Sequence, residues 1–272
     1  MPVSTAADGR KVWQRRTTPR QWAIWAGWFA FVLLFVWTWE LMTRTTIWAF
    51  VSDAPRQMAD LGNRMFPPRW SYIERLLWPL WDTINIATLG TLLGIVIAVP
   101  VAFCAARNTT PSAAFLRPVA LFIIVASRSI NSLIWALLLV SIIGPGILAG
   151  IVAIGLRSIG FVGKLLYEAI EEIDESQVEA VRATGATGMQ VVDYGIVPQV
   201  LPAFFGIGVF RWDINIREST ILGLVGAGGI GLQLQASLNT LAWPQVTLIL
   251  LLILGTVVVS EWVSAKVRHA VI

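Results

Sequence analysis

Six long apolar runs, near residues 22–42, 80–105, 116–143, 147–170, 202–223 and 243–267, constrain this chain more than any other feature. A helix rises 1.5 Å per residue, so about 20 apolar residues cross a hydrocarbon core of ~30 Å. Lipid offers no partner to an exposed backbone N–H or C=O, so each run must be helical if it crosses. The expectation is an all-α membrane protein with about six transmembrane helices.

Composition agrees. Of 272 residues, 56% are hydrophobic and only 13% are charged, with a mean hydropathy of +0.72. Soluble domains carry about 25% charged residues. Several of the 14 Trp lie near the ends of the apolar runs, where amphipathic rings favour the membrane interface. The single Cys, Cys104, excludes a disulfide framework within the chain. With one His, His269, metal sites and Ser-His triads lack material, and no metal or other cofactor is expected in this chain. A net charge of +4 invites a nucleic-acid reading, but in a membrane protein a basic excess marks ends that face anionic lipid, so no nucleic-acid partner is expected. The long basic N-terminal tail, with no small-residue cleavage site after the first apolar run, argues against a cleavable signal peptide.

Residues 1–21 form a basic tail (Arg10, Lys11, Arg15, Arg16, Arg20), expected to be disordered and cytoplasmic by the positive-inside rule. Residues 22–78 hold the first span and an amphipathic segment, Ile47–Met65, expected on the outer surface. Residues 79–272 form a core of five spans. Ser127-Arg128-Ser129 interrupts the third apolar run, so a helix near 113–127 on the cytoplasmic side should elbow into a span at Ile130–Ile143, with Arg128 at the cytoplasmic elbow. Gly144-Pro145-Gly146 makes an outer turn. The fifth span is expected to begin at Pro202. Six crossings would put both termini in the cytoplasm.

Gly226-Ala-Gly228-Gly229-Ile-Gly231 fits G-x-G-x-x-G, the dinucleotide fingerprint. That motif needs a preceding strand and an acidic residue about 20 positions on. Here a membrane run precedes it and the next acid is Glu261, so the four glycines are read as a break and turn, or gate, at the end of the fifth span. Gly160–Lys164 fails as a phosphate loop, because Leu165 stands where a magnesium-binding hydroxyl belongs.

Residues 210–220, FRWDINIREST, place two Arg, one Asp and one Glu inside the fifth span. Charges there cost about 2.5–3.5 kcal/mol each on insertion scales, so they should face one another or a pathway. At helical spacing Arg211, Asn215, Glu218 and Ser219 share one face, and Asp213, Arg217 and Thr220 the other. Arg211, Asn215 and Ser219 could bind an oxyanion in transit, with Arg217 and Thr220 also candidates for the route. The alternative is bracing, through Asp213–Arg217 and Arg211–Glu218. Arg157 is expected to reach a partner between helices and is the next candidate for the route after Arg211.

Residues 171–202 form an acidic segment between spans. Ser176 and Glu179 have capping-box spacing, Glu179–Ala183 favours a helix, Gly185 and Gly188 break it, and Met189–Tyr194 suggests a second short helix. Such a unit suits a groove on another protein; a surface loop without a partner is equally open.

Glu179-Ala180-Val181, Gly185, Ile196, Pro198 and Leu201-Pro202 resemble the EAA loop of bacterial ABC importer permeases, with Val181 where the tripeptide has Ala. SLIWALL, SIGFVGKL, QVEAVRATGA, NIREST and LGLVGAGGIG extend the similarity over about 80–270 to phosphonate-type permeases, which also handle phosphate or phosphite. Asn131 stands where those permeases usually have Pro. The resemblance implies a type I ABC importer permease fold and a multi-pass protein of the bacterial inner membrane. It also implies a homodimer, a cytoplasmic ATPase dimer that binds ATP and Mg, and an external solute-binding protein. Coupling contacts would fall on Glu179, Ala180, Val181, Ala183, Gly185 and Ala186. A permease for another solute such as an amino acid, an ion-coupled carrier and an intramembrane enzyme are the competing readings; the last two lack, respectively, a clear internal repeat and a catalytic pair.

Overall fold

A computed structural model describes residues 3–5, 9, 11–13 and 18–271, and the chain divides into two compact units, Met1–Asp60 and Leu61–Ile272. In the first, β1 (Val3–Thr5) pairs antiparallel with β2 (Lys11–Trp13), Val3 opposite Trp13. This corrects the expectation of a disordered tail: both triplets carry β-branched or aromatic residues that suit a strand. Arg10, Arg15 and Arg16 lie outside the described residues. Helix α1 (Thr18–Thr43) is apolar on all sides, as a membrane span is. Helix α2 (Trp48–Met65) carries the amphipathic pattern of the sequence and holds Pro55 internally. The division between units falls inside α2, not at residue 78.

The second unit is a helical bundle. Its elements are α3 (Ile73–Ala105), α4 (Leu116–Ser129), α5 (Ser132–Ile143), α6 (Ile147–Glu171), α7 (Glu175–Ala183), α8 (Gly188–Val191), α9 (Val197–Leu222), α10 (Ile230–Asn239) and α11 (Trp243–Val271). Among the described residues, five helical stretches are long and apolar enough to cross a membrane, and six if the bent pair α4–α5 counts as one span.

Four boundaries differ from expectation. Helix α3 begins at Ile73, not Leu80, because the polar turn before it continues the helix. Helix α8 does not end at a loop: a π turn, Val192–Ile196, joins it to α9, so Pro198, the second residue of α9, and Pro202, inside it, sit within one helical run rather than before it. Pro198 follows directly on the π turn, where its fixed φ suits a helix start, whereas Pro202 removes one i→i−4 bond from the interior of α9. Helix α10 follows the glycine cluster, where the sequence suggested only a turn. The fourth concerns the elbow. Helices α4 and α5 meet at 88°, with Asn131 capping α5 by accepting from Leu133 N at 3.0 Å. Asn131 thus starts the helix by capping, where a Pro would do so by restricting φ. The elbow is not at a bundle end: Ser127 Oγ donates to Leu156 O and accepts from Gly160 N, in the middle of α6. The 12 residues of α5 rise only about 18 Å, too short to cross alone.

Small residues make the α3–α6 contact. On α3, Ala87, Gly90, Thr91, Gly94, Ala98 and Ala102 recur at helical spacing and are buried. A Cβ on Gly94 would lie 2.4 Å from Ser158 Cβ, and one on Gly90 2.7 Å from Ile154 Cγ2. Helix association in lipid relies on such close approach, because there is little hydrophobic drive between helices. At one end of the bundle Ile86, Ala136, Ala153, Ile154 and Leu222 pack together; at the other Ala102, Leu166, Ile170, Val178 and Val191 do. Large side chains face outward instead, among them Trp78, Phe122 and Ile142.

Gly94→Ala should therefore force α3 and α6 apart and lower stability by about 1–3 kcal/mol, the usual range for overpacking. Gly27→Ala on α1, where a Cβ would meet nothing within 4 Å, should cost nothing. Melting temperatures of the two purified variants check this; equal values would mean the bundle absorbs the extra methyl.

Candidate functional site

The polar face of α9 enters the bundle between α3 and α6. Arg211 is 1% exposed, and its Nε donates to Ser158 Oγ at 3.0 Å. Its guanidinium lies 5.1 Å from the Phe161 ring centroid, and Nη2 approaches Glu218 Oε2 at 3.5 Å. Asn215 Nδ2 donates to Thr91 Oγ1 at 2.7 Å and to Ser158 Oγ at 3.0 Å. Ser158 is the shared acceptor, and Asn215 Oδ1 has no hydrogen-bond partner. Glu218 Oε1 lies 3.5 Å from Arg157 Nε, so one carboxylate serves two guanidiniums. Arg157 and Glu218 are the partly open members, their side chains 29% and 18% exposed.

The expected grouping of Arg211, Asn215 and Glu218 therefore forms, with Arg157 joining through Glu218. Ser219 is buried too, but its hydroxyl is spent on Ile216 O, and Thr220 Oγ1 likewise donates to Arg217 O. On the opposite face Asp213 pairs closely with Arg217 and accepts from Ser260 Oγ of α11 at 2.7 Å. Trp212 Nε1 donates to Thr88 Oγ1 at 3.0 Å. Ser158, Thr91, Phe161 and Ser260 were not singled out from sequence. Their signal is weak: a lone hydroxyl in an apolar helix reads as packing until a partner helix is known.

The glycine cluster is a tight loop. A 3-10 turn (Gly223–Val225) closes α9, and Gly226, Gly228 and Gly229 follow with φ of +91°, +84° and +74°. Positive φ there admits glycine readily and other residues only with strain. A Cβ on Gly231 would fall 2.0 Å from Thr220 O. Thr83 of α3 pins the loop by accepting from Ile230 N at 2.7 Å.

At the far end, the segment 172–196 returns on the bundle. The capping box expected at Ser176 and Glu179 is absent. Asp174 is the N-cap, accepting from Ser176 N at 3.0 Å, because the helix starts at Glu175, two residues earlier than Ser176 would allow. The Ser176 hydroxyl and backbone N–H hold the Asp174 carboxyl below its ordinary value. A depressed folded value means that the cap contributes above the ordinary carboxylate range and is lost only as pH falls through the lowered value. The capping box occurs instead at Thr187 and Gln190. Glu179, Ala180, Ala183 and Gly185 face outward, whereas Val181 and Ala186 pack against the apolar cluster beneath. Gly185 turns the chain with φ +81°. Gln199 Oε1 accepts from Asp174 N at 3.0 Å while its Nε2 donates to Gly195 O at 2.7 Å, fastening this segment to α9. Glu171 gathers Arg107 N at 2.9 Å and Arg117 Nη2 at 3.7 Å.

A multi-helix membrane bundle with buried ionised groups and an outward-facing helical segment at one end is the build of a transport protein rather than of an enzyme with a catalytic pair. Comparison with known proteins identifies the family. Residues 90–269, about two-thirds of the chain, match the binding-protein-dependent transport system inner membrane component, and the chain belongs to that family. It is 41% identical over 240 residues to the phosphite transport system permease protein PtxC of Stutzerimonas stutzeri, covering 88% of this chain and 86% of that one. It is 40% identical over 217 residues to the phosphate-import permease protein PhnE of Mycolicibacterium smegmatis, covering 80% of this chain and 41% of that protein. Among solved structures, an inward-facing MetNI methionine ABC transporter superposes with a TM-score of 0.65 at 24% identity, over 75% of this chain and 99% of that chain. The fold is that of a type I ABC importer permease. The chain is an inner-membrane, multi-pass permease subunit, not an enzyme, and works with an ATPase and a binding protein.

The Asp213–Arg217 pair gives a separable test. Arg217→Ala should leave Asp213, with a 7% exposed side chain, as a poorly compensated charge and lower stability by about 1–3 kcal/mol. Adding Asp213→Asn should restore most of the loss, as read from the yield and melting temperature of purified protein. A double variant no better than Arg217→Ala would assign the loss to packing instead.

Proposed function

We propose that this permease imports a small phosphorus oxyanion (phosphite, phosphate or a phosphonate) delivered by an external binding protein. The observation that carries the reading is the 41% identity, over most of both chains, to a phosphite transport permease. The excess of guanidinium over carboxylate inside the bundle supports it, since fork-shaped donors suit tetrahedral oxyanions. Two copies form the pathway, because one bundle of this size does not enclose a two-sided route. ATP and Mg reside on a partner ATPase dimer, and both termini face the cytoplasm.

The outward residues Glu179, Ala180, Ala183 and Gly185 dock the ATPase, with Val181 and Ala186 anchoring the segment to the bundle. Small side chains and a single acid leave room for a close fit in a groove. The helical continuity of α8 with α9 supports a stiff linkage from that contact into the bundle. The route runs along the face of α9 that carries Arg211, Asn215 and Ser219. In one copy these three are buried, so they serve as its inner support behind the more open Arg157 and Glu218. Arg217 and Thr220 flank the other side, and the turn at Gly226, Gly228, Gly229 and Gly231 closes the route at its end.

The test is reconstitution of the permease with its ATPase and binding protein in vesicles. ATP-dependent uptake of radiolabelled phosphite or phosphate, and none of methionine, is the expected result; the reverse preference would overturn the substrate reading.

Gly185→Trp should abolish uptake while the purified spans keep their melting temperature. Gly185→Asn, which tolerates positive φ, should retain most of it. Full uptake by the Trp variant would place the ATPase contact elsewhere.

A further inference from the structure

Helix α2 is not among the helices long and apolar enough to cross a membrane, and none of its 18 residues is buried. Its two sides are nonetheless sharply different. Advancing 100° per residue from Trp48, the positions of Trp48, Phe50, Val51, Met58, Leu61 and Met65 fall within an arc of about 160°. Asp53, Arg56, Gln57, Asp60, Asn63 and Arg64 fall within an arc of about 120° on the other side. Trp48, Phe50, Val51 and Met58 are each more than half exposed, so the apolar arc is left open.

Each end of α2 sits at the level of a membrane surface. Residues 44–47 alone separate its start from α1, a 26-residue span whose end carries the exposed ion pair of Glu40 and Arg44 at 3.8 Å. At its other end, Met65 O accepts from Thr247 Oγ1 in the first turns of α11 at 2.9 Å. Arg69 N donates to Pro244 O at 3.1 Å, and the chain neighbours of that bond are Trp70 and Trp243. Tryptophan concentrates at the boundary between headgroups and acyl chains. With α4 and α5 counted as one bent span, α1 ends and α11 begins on the same face of the membrane. A helix of 18 residues rises about 27 Å, and one that starts and finishes at a single surface runs along it.

We propose that α2 is a lipid-binding helix, lying in the headgroup boundary of that membrane face with Trp48, Phe50, Val51 and Met58 among the acyl chains. Such helices sink their apolar side about 5–10 Å into the boundary while the polar side stays in water. Asp53 and Asp60 offset Arg56 and Arg64, so the helix binds by burying apolar surface and not by attraction to anionic lipid. Turned the other way, the arc would hold Trp48, Phe50, Val51 and Met58 in water beside an apolar solvent able to cover them. The occupant is therefore phospholipid, and a soluble protein is the competing one. This goes beyond the transport reading and holds whichever solute the importer carries.

The test follows contact with acyl chains residue by residue. The chain has one cysteine, so Cys104→Ser provides a background for Val51→Cys, Met58→Cys, Asp53→Cys and Arg56→Cys, each labelled with bimane. All four positions are exposed, so the labels leave the packing alone. The full permease is reconstituted in phosphatidylcholine vesicles with and without lipid spin-labelled near the headgroup end of its acyl chain. Both leaflets carry the quencher, so the direction of insertion does not affect the reading. Fluorescence at positions 51 and 58 should fall at least about twofold, and at 53 and 56 far less. Equal quenching on both arcs, or none at 51 and 58, overturns the proposal. Quenching at 58 should also persist when the ATPase and binding protein are added to the vesicles. Its loss on adding the binding protein would assign the arc to a protein contact and overturn the lipid assignment.

Discussion

The close approach of α3 and α6 is the contact on which the rest of the bundle depends. With glycine at positions 90, 94 and 155, backbone faces backbone, and Ser158 Oγ is brought to where α9 can reach it. Three helices then meet around one hydroxyl: Thr91 of α3 and Ser158 of α6 accept from Asn215, and Ser158 accepts from Arg211 as well. Each such bond contributes only about 0.6 kcal/mol in measured membrane cases, so none is decisive alone. Their value is positional. They hold a guanidinium inside a helical bundle without a carboxylate of its own, which packing by leucines could not do.

The same helix is mechanically continuous with the segment that faces outward. From Gly188 through the π turn to Leu222 no flexible link interrupts the backbone, and Gln199 ties the start of α7 to this run. Unbroken helical backbone therefore joins α8 to the part of α9 that carries Arg211 and Glu218, and Gln199 joins α7 to it. Glu171 performs the complementary task, connecting the end of α6 to the α3–α4 connection and the start of α4. That bundle end is thus tied together by polar contacts, while the loop at Gly226–Gly231 is held by Thr83 and by close backbone contacts.

Much of this was legible in the sequence. Apolar run length gives the spans, because the hydrocarbon thickness admits few alternatives, and helical spacing places Arg211, Asn215 and Glu218 together because α9 is a regular helix. The i,i+4 spacing likewise announces the Asp213–Arg217 pair. Elsewhere local signals competed. Ser176 and Asp174 are both good caps, and only the exact start of α7 decides between them. Pro202 reads as a boundary because proline interrupts the i→i−4 ladder, yet it lies inside α9. Arg128 reads as interfacial because charges near span ends usually are; its depth depends on Ser127 packing against Leu156 and Gly160, a tertiary fact with no local trace. Ser158 and Thr91 were invisible for the same reason.

The half-length helix α5 explains why the interior carries charge where it does. A helix that starts in the middle of a bilayer has N–H groups without partners, and such a start is tolerated only where it lines a cavity or is buried in protein. Asn131 satisfies one of these donors from its own side chain, and Ser132 is buried beside it. Glu218 stands across the same cleft, where the positive end of α5 faces a carboxylate. The elbow between α4 and α5 thus leaves the start of α5 facing a carboxylate that Arg157 and Arg211 share, which keeps a charge at this depth from standing uncompensated.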